Sequence, residues 1–74
     1  MSHTDRIAKI TKAYVRHYSD NGQTTAYVEW LDESGHPGRT EGEADYAWGP
    51  ISSHMHALFK RAEREGLTIA WQKW

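Results

Sequence analysis

The sequence predicts an α+β fold in two layers, β-β-β-α-β, with one helix packed on one face of a mostly antiparallel four-stranded sheet. Three observations predict it. Asn21-Gly22 stands between two segments, KAYVRHY and TAYVEW, that repeat the tripeptide Ala-Tyr-Val. A single apolar stripe of helical period runs through PISSHMHALFKRAEREG. An alternating segment, LTIAWQKW, follows that stripe.

Asn-Gly is the strongest short hairpin signal, because a type I′ turn needs positive φ at both central residues. A two-residue loop at Asn21-Gly22 joins strands of about 7–18 and 23–31 and pairs Asp20 with Gln23. The same register sets Val15 against Val28, Ala13 against Trp30 and His17 against Ala26. On the opposite face Tyr14 meets Glu29, Arg16 meets Tyr27 and Tyr18 meets Thr25. Strand alternation thus puts Ala13, Val15, Val28 and Trp30 in the core and the tyrosines on the open side. Ile7 and Ile10 are out of phase with that alternation, which calls for a bulge or a late strand start.

DESGHPG, residues 32–38, reads as a loop. A third strand, about 38–44, is polar and contains Gly42, as an edge strand blunted by charge would. The helix is expected over about 50–65, with Pro50 in its first turn, Ser52 or Ser53 as a cap, and Gly66 just past its end with Leu67 following. Ile51, Met55, Leu58, Phe59 and Ala62 form its stripe. A last strand, about 67–73, returns by a right-handed crossover to lie beside the first, for a sheet order of 3-2-1-4.

Seventy-four residues, 1–74, make one small domain. With no cysteine, disulfides and thiolate metal sites are excluded, and the four Trp and four Tyr supply the bulk of the packing area. No apolar run approaches a membrane span, and MSHTDRIAKI lacks the apolar stretch of a secretory signal, so a cytoplasmic protein is expected. The net charge is −1, but it is unevenly spread. Residues 1–18 carry four basic and one acidic side chain, residues 19–48 seven acidic and one basic, and residues 49–74 four basic and two acidic.

Five histidines raise the question of a metal. His54 and His56 point to different sides of the helix, His17 lies near the core face, His36 in a loop and His3 in a frayed end, so no convergent ligand set is expected, nor any cofactor. Nothing matches a nucleophile elbow or a phosphate-binding glycine loop, and Glu41 and Glu43, although on one strand face, lack a cleft in which to work as an acid–base pair. Lys60, Arg61 and Arg64, interleaved with Glu63 and Glu65, read as a solvated helix face. Phosphate contact becomes credible only if Lys9, Lys12 and Arg16 join them in one patch.

Two segments suggest binding. On the open hairpin face Tyr14, Arg16, Tyr18 and Tyr27, with Glu29 beside them, supply the Tyr and Arg that are over-represented at protein interface hot spots. Aromatic residues on a sheet with Lys9, Lys12 and Arg16 nearby also suit single-stranded nucleic acid, but Glu29 and the acidic block repel phosphate. The second segment is EGEADYAWGP, where Glu41, Glu43 and Asp45 precede Tyr46 and Trp48; its acids suit a basic groove on a partner, and its aromatics are expected to fold back over the helix end.

In size, absence of catalytic motifs and charged aromatic surface, the chain resembles the small accessory proteins of bacteriophages and mobile elements, some of which inhibit host defence nucleases such as CRISPR effectors. That resemblance implies a non-enzymatic inhibitor that occupies a surface of a larger protein, and it assigns no residue. The expectation is therefore a binding protein, monomer or homodimer, that engages its partner through Tyr14, Arg16, Tyr18, Tyr27 and Glu29 or through Glu41, Glu43 and Asp45.

Overall fold

The computed structural model describes residues 7–73. The end expected to fray around His3 lies outside them. The elements are β1 (Ile7–Tyr18), β2 (Gln23–Asp32), β3 (Pro37–Asp45), β4 (Gly49–Pro50), α1 (Ser53–Arg64) and β5 (Ala70–Lys73). They form a curled, mixed five-stranded sheet in the order β4-β3-β2-β1-β5, with α1 packed on one face. β5 runs parallel to β1, and the other pairs are antiparallel. The sheet differs from the expected four strands by β4, a two-residue strand on the outer side of β3.

The hairpin is built differently from its sequence signal. Tyr18 pairs with Gln23, so the loop is the four residues Ser19–Gly22 and not Asn21-Gly22 alone. Only Gly22 has positive φ, at 72°, and its N–H bonds to the Tyr18 carbonyl at 2.8 Å. Asn21 uses its side chain instead, accepting the Gln23 N–H at 2.9 Å. The expected partners move by two residues: Tyr14 faces Tyr27, Val15 faces Ala26 and Ala13 faces Val28, while the shift between Ile10 and Lys12 sets Trp30 opposite Ile10. An even shift leaves each side chain on its expected face. It also stacks Tyr14 on Tyr27 and sets Lys12 opposite Glu29, two favourable cross-strand pairs.

Two register shifts, between Ile7 and Lys9 and between Ile10 and Lys12, supply the bulges that the isoleucines require. They turn Ile7 and Ile10 onto the core side with Ala13 and Val15. A bulge leaves backbone groups without ladder partners, and the end of the helix takes them. Glu65 accepts the Ile10 N–H at 3.1 Å, while Arg61 donates to the carbonyls of Ile7 at 3.0 Å and Ala8 at 3.3 Å. The two side chains also pair with each other at 2.8 Å. Burial pushes the Glu65 carboxyl up, but the Ile10 N–H and the Arg61 charge outweigh it and hold the group below the usual carboxylate range.

The helix is shorter than expected. Pro50 belongs to β4, and Ser52 is the cap, its hydroxyl accepting the Met55 N–H at 3.2 Å. Ile51 consequently falls outside the helix and its stripe, and is 64% exposed. Met55, Leu58, Phe59 and Ala62 remain as the buried stripe, over Ile10, Val15, Ala26 and Val28. At the other end, Leu67 N–H bonds to Ala62 and Gly66 N–H to Glu63, both at 3.0 Å, the paired bonds of a Schellman motif with Gly66 at positive φ. The last strand begins at Ala70, so Leu67 and Ile69 pack against the core from the connection and not from a strand.

Trp30 is half-buried, with its indole N–H on Thr40 at 3.0 Å and its ring lying over Gly38. A methyl group at Gly38 would run into that ring, and one at Gly42 would sit 2.7 Å from Met55 Cγ. The glycines of β3 thus let the sheet curl closely around Trp30 and the helix.

Candidate functional site

The sheet face away from the helix brings the two candidate segments together. Glu41 pairs with Tyr27, Glu43 with Thr25 and Arg39 with Glu29, so these β3 side chains share a face with Lys12, Tyr14, Arg16 and Tyr18 of β1. Acidic row and tyrosine cluster, read separately in the sequence, form one surface.

At its centre the Tyr14 and Tyr27 rings stack at 4.9 Å between centroids, 18° from parallel. Lys12 Nζ lies 5.0 Å from the Tyr14 ring; the Arg16 guanidinium lies 5.4 Å from Tyr14 and 5.5 Å from Tyr27; Arg39 covers Tyr27 at 5.2 Å. The Tyr14 hydroxyl donates to Glu29 at 2.9 Å, and Tyr18 and Tyr27 share a hydrogen bond at 3.0 Å. Arg16 also donates twice to the Gln72 side chain of β5, both at 3.1 Å.

The expectation of rings open to water is therefore corrected for two of the three tyrosines. Tyr14 and Tyr27 do stand on the side opposite the helix, but cationic side chains roof them over, leaving 3% and 6% of each exposed. Burial, then the bond to Glu29, pushes the Tyr14 phenol up from its ordinary range. The shared bond divides the other two: Tyr27 is pushed up, and Tyr18 is drawn down with help from Arg16. Tyr18, Arg16 and Glu29 are half-buried, and Glu41, Glu43 and Asp45 are exposed.

A shallow depression of about 490 Å³ opens at the hairpin end of this face, bordered by Tyr18, Gln23, Thr25, Glu41 and Glu43. Among the described residues neither glutamate has an ion-pair partner. Asp45 instead serves the backbone, since its carboxylate accepts the Ala47 N–H at 2.8 Å and holds the turn between β3 and β4. The basic residues do not join in one patch, since Arg61 is held at the bulged start of β1, on the helix side, and Arg16 faces away. Among the described residues, no group of His, Asp and Glu converges as a metal site, and no helix is long and apolar enough to cross a membrane.

One exposed feature runs against the sequence expectation. Trp48 does not fold back as a lid; it is 88% exposed. His17, Tyr46 and Trp71 form an aromatic chain on the helix side, with His17 and Tyr46 at 4.4 Å and Tyr46 and Trp71 edge-to-face at 6.3 Å. Trp48 and Trp71 border a cleft of about 300 Å³ together with Phe59, Ile69, Lys60 and Glu63. The expected order 3-2-1-4 already set Trp71 on an edge strand; the sequence did not show that Tyr46 and Trp48 lie beside it.

Comparison with protein-family models, curated proteins and solved structures finds no match to this chain.

Proposed function

We propose that the protein is a non-enzymatic binding protein that acts by occupying a surface of a larger protein partner, in the manner of an anti-CRISPR type inhibitor of host defence. The observation that carries this reading is the exposed pair Glu41 and Glu43, without ion-pair partners among the described residues, beside Tyr18 over a shallow depression. Carboxylates standing over a concavity receive basic side chains of a partner, and a groove built for nucleic acid is rich in these. Tyr14 and Tyr27 then act beneath the surface: their stack fixes Arg16, Arg39 and Glu29 in place. Asp45 contributes by holding the turn.

Single-stranded nucleic acid is the weaker reading. Bases stack on open rings, and Tyr14 and Tyr27 are roofed. A salt titration against an unstructured oligonucleotide is expected to show no binding at ~50 mM salt, where phosphate contacts are strong.

The test is a cleavage assay over a panel of reconstituted RNA-guided nucleases. Inhibition of at least one of them that saturates at equal stoichiometry is expected, weakened about tenfold or more in E41Q/E43Q. No inhibition across the panel overturns the inhibitor reading; inhibition untouched by E41Q/E43Q removes the acidic pair from the contact.

A further inference from the structure

We propose that the chain forms a twofold dimer in which β5 of one copy pairs antiparallel with β5 of a second. The sheet ends in two unlike edges. On one side β4 is two residues long and contains Pro50, which has no N–H to donate; the rest of the β3 edge carries Pro37, Arg39, Glu41 and Glu43. Self-pairing there is opposed by proline and like charge. On the other side β5 pairs, among the described residues, only with β1, contains no proline, and has a single charge, Lys73. Its outer row of backbone donors and acceptors is unguarded.

Parity restricts how two copies meet. Opposed residues of an antiparallel pair share a face. A twofold axis through the sheet therefore matches only residues of like parity, and centring it on Trp71 sets the two Trp71 side chains opposite each other. Ala70 then meets Gln72, and Ile69 meets Lys73 of the second copy. Ile69 lines the same cleft as Glu63, so the second copy's Lys73 arrives within reach of a carboxylate, and the pairing occurs twice.

The exposed area suits this occupant. Trp48 is 88% exposed and Tyr46 and Trp71 are each 52% exposed. Together they present about 400 Å² of aromatic surface, from the area such side chains carry. A stable interface covers about 800 Å² on each partner, so the patch supplies half and the strand edges with Ile69 and Lys73 extend it.

Sedimentation equilibrium of the full chain, from low to high micromolar concentration, tests the proposal. A monomer–dimer equilibrium is expected. W71A should raise its dissociation constant at least about tenfold. K73E should weaken the dimer, and E63K/K73E should restore it. The chain has no cysteine, so W71C reports cleanly. Facing Cα atoms ~4.5–5.5 Å apart fall within disulfide reach, and oxidised W71C is expected as a covalent dimer. A monomer at every concentration would overturn the proposal and leave the edge to a different protein. So would a dimer indifferent to W71A and K73E, or a W71C chain that folds but does not cross-link.

Discussion

A phenol that is 3% exposed on the face away from the helix is an unusual placement, and Tyr14 has it because its neighbours share the cost. Its ring stacks on Tyr27 and lies under Lys12 and Arg16, and its hydroxyl donates to Glu29. Tyr14→Phe keeps the stack and loses only the hydrogen bond, so chemical denaturation should show a loss of about 1 kcal/mol. The phenol also has a pH consequence. Its folded pKa is raised from an ordinary value of 10.0, so the stability it contributes is present below pH 10 and is lost as pH rises through the folded value. Ultraviolet titration should show two late-ionising tyrosines, Tyr14 and Tyr27, and Tyr14→Phe should remove one of them. At Gly38 the constraint is steric. Gly38→Ala forces the Trp30 ring to move, and a loss of about 1–3 kcal/mol is expected from the overpacking.

At the scale of elements, the helix terminus and the bulged start of β1 behave as one unit. Arg61 and Glu65 satisfy the carbonyls and the N–H that the bulges release. Glu65 has its folded pKa lowered from 4.5, so its contribution is present above pH 4.5 and disappears as pH falls through the folded value. Glu65→Gln should flatten the acid limb of the stability profile, and Arg61→Ala should cost about 1–2 kcal/mol at neutral pH. Strand faces were legible in the sequence because a side chain's face depends only on parity, which the two-residue slip at the hairpin preserves. Strand partners were not legible, because they depend on whether Asn21 adopts positive φ or closes a side-chain turn, and it does the latter. The end of the helix was readable from Gly66; at its start the cap was narrowed to Ser52 or Ser53, but Pro50 was misplaced, because it suits a short strand as well as a first helical turn. The roofing of Tyr27 escaped prediction because it draws on Arg39, which the pairing of β3 with β2 sets opposite Glu29.

For the whole molecule, the order β4-β3-β2-β1-β5 sets a gradient of protection. β1 and β2 are bonded on both sides and carry Val15 and Val28 at full burial. Amide exchange should be slowest there and approach the global unfolding free energy, while β4 and β5 exchange by local opening. The same order separates two surfaces. Glu41 and Glu43 stand on the face away from the helix, whereas Trp48 and Trp71 border a cleft beside it. A variant at one is therefore expected to leave the other intact, and W71A should keep the inhibition that E41Q/E43Q weakens.

The parallel neighbour of β1 is also the strand made last. During synthesis the first strand emerges early, yet its outer flank stays bare until β5 has followed it. Until then that flank is open to any extended segment it meets.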